Sequence, residues 1–230
     1  MPMSTRSLAN PVVAQAAALC TAGRRVPILM NDSGNLVSDA SEAPLKSEGV
    51  LLFCGEDCLA DTVRPRFDNA GANPNLIFVM SGDTTAAEET RGRGRPRKRE
   101  GMNTGEFLFE RDLGVLDQAL TEMREQKIDI KMVAIDPIDC YMAAGDLKAD
   151  LTGMVAELTQ LAERHNVAVG VVANSTSSAI GKTGYRHDTI GVKAMANAAR
   201  SVLMVCQDLE VDNLRLVLPV KSNLTHARQG

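Results

Sequence analysis

A three-layer α/β fold, with helices on both faces of a largely parallel sheet, is what three observations predict for this chain. Short apolar runs without alternation, such as Met132-Val133-Ala134-Ile135, read as strands buried on both faces, the environment of a parallel sheet. These runs alternate with stretches of helical periodicity at the spacing of βαβ units. Apolar residues make up 44% of the chain but aromatics only 3%, with no Trp. A core of Ala, Val, Leu, Ile and Met is therefore expected, which suits helices on a parallel sheet better than an all-β sandwich.

Pro11 to Ala22 reads as the first helix, with Pro at its start and Gly23 at the C-terminal capping position. Gly23 to Gly49 carries Pro27 and Asn31-Asp32-Ser33-Gly34 and reads as a surface loop. Gly49 to Cys54 is a strand that ends in Gly55-Glu56-Asp57. Leu59 to Ala70 is a helix closed by Gly71, and Asn75 to Met80 is a third strand. Ser81 to Gly105 has no apolar periodicity and is expected to be a mobile basic insertion within one domain spanning residues 1–230. Asp112 to Gln126 puts Leu113, Leu116, Leu120 and Met123 on one helical stripe, and the strand through Met132 to Ile135 comes next. Asp146 to His165 repeats the device with Leu147, Leu151, Met154, Leu158 and Leu161. Val167 to Val172 is the next strand, Asn174 to Thr189 a polar loop and Val192 to Ala199 a helix. Val202 to Cys206 and Leu214 to Val220 are the last strands.

At 230 residues the chain can bury one sizeable core. No apolar run approaches the ~20 residues of a membrane span. The patch from Val12 to Leu19 is short, interrupted by Gln15, and has no secretory cleavage pattern. Cys20, Cys54, Cys58, Cys140 and Cys206 lie scattered; their odd number argues against a disulfide framework, and Cys54 and Cys58 lack the companions of a zinc site. A reduced, cytoplasmic protein with buried thiols is expected. The net charge is −4, yet Arg91-Gly92-Arg93-Gly94-Arg95-Pro96-Arg97-Lys98-Arg99 carries six positive charges, leaving −10 on the remainder. An acidic body with one basic segment is no overall basic DNA-binding surface, so any nucleic acid would meet that segment first.

Two stretches bear chemistry. Asp136 closes its strand and is followed by Pro137, which has no N–H to give a neighbour. A carboxylate at the carboxyl tip of a central strand stands where open α/β sheets bind ligands. In a nucleotide-binding sheet it is the aspartate that holds Mg²⁺; otherwise it is an Asp that opens a turn. The second stretch, Arg93, Gly94, Arg95, Pro96, Arg97 and Lys98, looks like the core of an AT-hook, an extended peptide whose arginines enter the narrow minor groove of A·T-rich DNA. Pro96 keeps Arg95 out of the helical region. The plainer alternative is a solvated loop that binds polyanions without preference.

Five motifs in order carry a wider resemblance. They are Gly55-Glu56-Asp57, the helix holding Thr62-Val63-Arg64-Pro65-Arg66-Phe67, then Ile135-Asp136-Pro137, Ala198-Ala199-Arg200-Ser201-Val202 and Pro219-Val220-Lys221-Ser222-Asn223. In this series, from Pro11 to Asn223, the chain resembles the RecA-like P-loop NTPase core, above all the RepA-like replicative helicase ATPases of plasmids and prophages. The resemblance implies Mg²⁺ and ATP as cofactors, DNA as partner, a homo-oligomer (a hexameric ring) and no membrane. It implies Asp136 as the metal ligand, with Asp57 and Asn223 beside the cofactor. Glu56 would orient and deprotonate the attacking water, and Arg200 and Lys221 would reach a neighbouring subunit's phosphate. Asn174 would stand where the family places a γ-phosphate-sensing His.

The sequence departs from the family in two places. The Walker A loop, Gly-x-x-x-x-Gly-Lys-Ser/Thr, should precede the Pro11 helix, but Met3 to Asn10 contains no glycine and no lysine, and no strand stands before it. Without glycines, successive backbone N–H groups cannot wrap the phosphates. Either the frame is truncated or this is a degenerate relative. Asn174 in place of His removes a second phosphate-facing group. Gly181-Lys182-Thr183 does not rescue the loop, because the glycine needed five residues earlier is Thr176. The resemblance therefore implies a RecA-like domain unable to hydrolyse ATP alone. A DNA-tethering module built on that fold, and an unrelated α/β enzyme using Glu56 and Asp136 to hold a metal, are the other readings.

Overall fold

The computed structural model describes residues 10–23, 46–80, 107–142, 151–173, 195–208, 211 and 214–223. The segments expected as a basic insertion (81–105) and a polar loop (174–189) lie outside the described residues, as does most of the expected surface loop (Gly23–Gly49).

Helix α1 (Asn10–Thr21) leads into strand β1 (Gly49–Cys54). A π-helical turn (Leu59–Val63) runs into α2 (Arg64–Ala70), which Gly71 ends with φ 79°. Glycine reaches that left-handed geometry without the Cβ penalty. Strand β2 (Ile77–Val79), helix α3 (Phe109–Glu125), strand β3 (Ile130–Asp136), helix α4 (Leu151–His165) and strand β4 (Ala168–Val171) come after it. The four strands form one parallel sheet in the order β2-β1-β3-β4. Strands β5 (Ser201–Gln207) and β6 (Arg215–Ser222) pair antiparallel with each other in a separate two-stranded sheet. The mixed α/β class therefore stands, with the last two strands apart from the parallel sheet.

The sheet is covered on both faces, as its unalternating strands require. Val50, Leu52 and Ala134 turn to one face, against Val13, Ala14, Ala17 and Ala18 of α1 and Phe67 of α2. Leu51, Phe53, Val133 and Ile135 turn to the other, against Leu116 and Leu120 of α3 and Leu158 and Leu161 of α4. Buried Thr21 ties α1 to the loop before β2: its hydroxyl donates to the Ala17 carbonyl at 2.8 Å and accepts from the Asn73 N–H at 3.0 Å. At the amino edge of the sheet the ends of α3 and α4 are pinned. Asp117 meets buried His165 Nε2 and the Arg164 guanidinium, each at 2.6 Å, while Arg124 donates to the His165 carbonyl at 2.6 Å.

Two expectations are corrected. The core is not purely aliphatic: Phe53, Phe107, Phe109 and Tyr141 form one ring cluster with centroids 5.0–6.1 Å apart. The few aromatics are concentrated in one place, which a percentage cannot show. Phe109 joining that cluster also starts α3 three residues before the expected Asp112, where the backbone now kinks (φ −110°, ψ 15°). The thiols are not all buried: Cys58 and Cys140 are exposed, while Cys20, Cys54 and Cys206 are partly covered. Both exposed cysteines lie in turns past strand ends, beyond the apolar runs that would cover them.

Candidate functional site

The parallel register builds the site. β1 and β3 run side by side with Cys54 opposite Asp136, so the turns that leave the two strands emerge at one point on the carboxyl edge. From β1 come Gly55, Glu56 and Asp57; from β3 come Asp136, Pro137 and a 3-10 turn (Ile138–Tyr141). The Gly55 N–H donates to the Asp136 carbonyl at 3.3 Å. Gly55 is required here by contact: a Cβ on it would lie 2.3 Å from Cys140 Cβ and 2.8 Å from Cys140 Sγ. Glycine thus lets the turn after β3 close over the end of β1.

Asp136 is 7% exposed, and its Oδ1 is buried without a hydrogen-bond partner. Its carboxyl is pushed up from 3.8 to about 6, first by burial and then by the negative charge of Asp57, with Glu56 adding and Arg66 opposing. The same field acts on the thiols beside it. Cys54 is raised by burial and by Asp136 and Asp57, and Cys140 is pushed up to about 11 by burial and Glu56. The tip therefore accumulates negative potential that one local cation, Arg66, only partly offsets. Arg66 is itself engaged: its guanidinium donates to Asp57 Oδ2 at 2.5 Å.

An unsatisfied buried carboxylate oxygen beside two further acids is the donor chemistry a hard divalent cation takes. Among the described residues no group of three metal-ligating side chains converges. Asp136 would therefore supply at most one ligand to such a cation, with the remaining oxygens coming from elsewhere. Among the described residues the phosphates of ATP find no comparable fit. The recess at the tip, lined by Leu52, Cys54, Val63, Arg66, Phe67 and Asp136, offers a cavity of only ≈ 10 Å³, far below the ~300–1,000 Å³ of ligand pockets. Its cation is already committed to Asp57.

Arg200, Lys221 and Asn223 gather elsewhere. The pairing of Ser201 with Ser222 and Val202 with Lys221 brings them together at one end of the β5–β6 ribbon. The Asn223 N–H donates to the Arg200 carbonyl at 2.8 Å. The Lys221 ammonium donates to the Ala196 and Asn197 carbonyls at 3.0 and 2.7 Å, closing the short helical turn before β5. Exposed Arg200 lies 3.9 Å from Glu163, near the end of α4 and so toward the amino edge of the sheet, opposite Asp136. Asn174 and the basic residues Arg93 to Lys98 lie outside the described residues. Arg66 and Cys140 are the neighbours that sequence reasoning left without a role. Pro65 marks the first turn of a helix just after an acidic tip, which was the signal available for Arg66; Cys140 carried none.

No protein-family model matches this sequence, and no curated protein matches it. Solved structures are similar at the level of the chain trace, two of them as follows. One is the ATPase domain of another protein, at 8% identity and a TM-score of 0.47, covering 76% of this chain and 67% of that one. The other is a DnaB-like replicative helicase described with its interactions with primase, at 10% identity and a TM-score of 0.47. This chain spans 47% of that helicase's length.

Proposed function

We propose that this chain is a RecA-fold ATPase-family domain, RepA-like, acting on DNA as a homo-oligomer in the replication or maintenance of a mobile element. In this reading it does not hydrolyse ATP alone. The observation that carries the reading is the acidic tip itself: buried Asp136 with an unsatisfied oxygen, beside Glu56 and Asp57 on the neighbouring strand end. Hydrolysis of a γ-phosphate needs a metal, a base for water and cations on the developing charge. Asp136 would hold the metal and Glu56 would handle water. Arg200, at the far end of the sheet, would serve a neighbouring subunit and not its own. Met3 to Asn10 supply no glycine-rich phosphate cradle. Titration calorimetry with Mg·ATP should therefore show no binding tighter than roughly millimolar, about −4 kcal/mol. Micromolar affinity would sink the inactive reading and return Gly181-Lys182-Thr183 to consideration.

A second reading has its own support: a DNA-tethering module that keeps the fold as an assembly platform. The Lys221 ammonium is occupied by two carbonyls of its own chain, a structural role that needs no nucleotide. Unfolding stability at pH 7.5 that does not respond to millimolar Mg²⁺ would favour it, since the first reading has Asp136 hold the cation.

A further inference from the structure

We infer that the amino edge of the sheet carries a hydration site: one buried water molecule that donates to His165 Nδ1 and joins α3, α4 and β3. The inference stands on this junction alone and does not rest on the ATPase reading. His165, the last residue of α4, is 4% exposed. Its Nε2 lies 2.6 Å from Asp117 Oδ1, and the other oxygen of that carboxylate accepts from Arg164 at 2.6 Å. An ionised carboxylate can only accept, so Nε2 carries the proton and the neutral ring keeps a lone pair on Nδ1. The same contact fixes the ring's orientation, because the flipped ring would set a carbon against the carboxylate. Nδ1 is buried and has no hydrogen-bond partner among the described residues. A buried acceptor left in that state costs the desolvation of its lone pair, and folded chains satisfy such groups with protein donors or ordered water.

The donor's place is beside the ring. His165 lines a recess together with Arg124, Asp129, Leu120, Ile130 and Val167. Its cavity of ≈ 10 Å³ stands at the lower bound of the ~10–15 Å³ that one water needs, which is too small for an organic ligand. Charge selects water over an ion. The Arg124 guanidinium opposes a cation, as do Lys46 and Lys131, whose ammonium groups lie 3.0 and 3.6 Å from the Asp129 carboxylate. The Nδ1 lone pair and the carboxylates of Asp117 and Asp129 oppose an anion. A water suits all three polar neighbours at once, donating to Nδ1 and to an oxygen of Asp129 while accepting from Arg124. About three partners is the usual complement of a buried water. Arg124 gives one N–H to the His165 carbonyl at 2.6 Å, out of the five that a guanidinium carries. These partners come from the end of α3, the end of α4 and the residue before β3, so the water is a joint between elements.

The test is water–protein NMR on the 230-residue chain, with labelled Leu, Ile and Val methyl groups and ¹⁵N in its three histidines. Water should give NOEs to the Leu120, Ile130 and Val167 methyls, with rotating-frame effects of opposite sign, as a long-held water does. The His165 spectrum should place the proton on Nε2 and displace the Nδ1 resonance from that of a free lone pair toward that of a hydrogen-bonded one. His165→Phe keeps a ring in place and takes away the acceptor. Its water NOEs at these methyls should vanish while the rest of the methyl spectrum stays native. If that variant does not fold, the NOEs and the Nδ1 resonance of the parent decide alone. No water NOE in the parent, a free Nδ1 resonance, or a proton on Nδ1 would overturn the inference. So would NOEs that persist in folded His165→Phe, which would trace them to the Arg124 protons or to a water indifferent to His165.

Discussion

Asp136 is held where ionisation costs stability, and the sign of that cost makes it testable. Its folded value, about 6 against an ordinary 3.8, means that the native state binds this proton more tightly than the unfolded chain does. Its contribution is therefore fully favourable below about pH 4 and is lost as pH rises through 6, on the order of 3 kcal/mol by neutrality. Asp136→Asn does not titrate. In denaturant unfolding it should be more stable than the parent by about 1–2 kcal/mol at pH 7.5, because its amide leaves part of the gain unsatisfied. The advantage should shrink toward pH 4.5. Millimolar Mg²⁺ should stabilise the parent at pH 7.5 and leave the Asn variant unmoved; equal responses would remove Asp136 from any cation site. At the other strand tip, Gly55→Ala should cost about 1–3 kcal/mol through overpacking on Cys140. Cys140→Gly in the same chain should recover part of that loss, measurable as a coupling in a double-mutant cycle.

At the scale of elements, helix ends decide much of the geometry. α2 closes on Gly71, but α3 and α4 close on Lys127 (φ 64°) and Asn166 (φ 54°), both in the left-handed region. Asn tolerates that conformation better than Lys does. Lys127→Gly should relieve the strain and stabilise the chain by about 0.5–1 kcal/mol, seen as a higher denaturant midpoint with unchanged slope. The pinning of α3 to α4 predicts the opposite sign. Asp117→Ala deprives buried His165 and Arg164 of their shared acceptor and should cost about 1–3 kcal/mol. Together these ends hold the helices along the Phe53 face. The ring cluster of Phe53, Phe107, Phe109 and Tyr141 then supports the strand tips from beneath.

For the whole molecule, charge is segregated. With six cations between Arg91 and Arg99 and −10 on the rest, duplex DNA binding should reside in that segment and survive loss of every nucleotide-facing group. Four to six phosphate contacts imply a slope of log K against log salt of about −4 to −5. Deleting Arg91 to Arg99 should abolish most of that binding. Fluorescence anisotropy on matched duplexes should show a preference for A·T-rich DNA that Arg95→Ala erases, with little loss of the non-specific affinity. Equal affinity for A·T- and G·C-rich duplexes in the parent would leave only a polycationic loop.

The sequence by itself determined the order of elements. Unalternating runs such as Val50 to Phe53 and Met132 to Ile135 can be satisfied only inside a covered parallel sheet, and stripes such as Leu113, Leu116 and Leu120 only by a helix on its face. It placed acids at the strand tips as well, because a carboxylate directly after a buried strand emerges at that strand's end. Boundaries were less legible where tertiary contact overrides local preference: α3 starts at Phe109 because a ring cluster draws that residue in, not because of any local stop signal. Only the tertiary structure decided that Cys54 stands opposite Asp136, and so that Glu56, Asp57 and Asp136 act on one another. It also decided that Arg66 is spent on Asp57 and that Gly55 is needed for Cys140. Register and the hand of crossovers are relations between segments far apart in sequence, fixed by packing across the sheet, and no local pattern contains them. The same relations separate β5 and β6 from the parallel sheet.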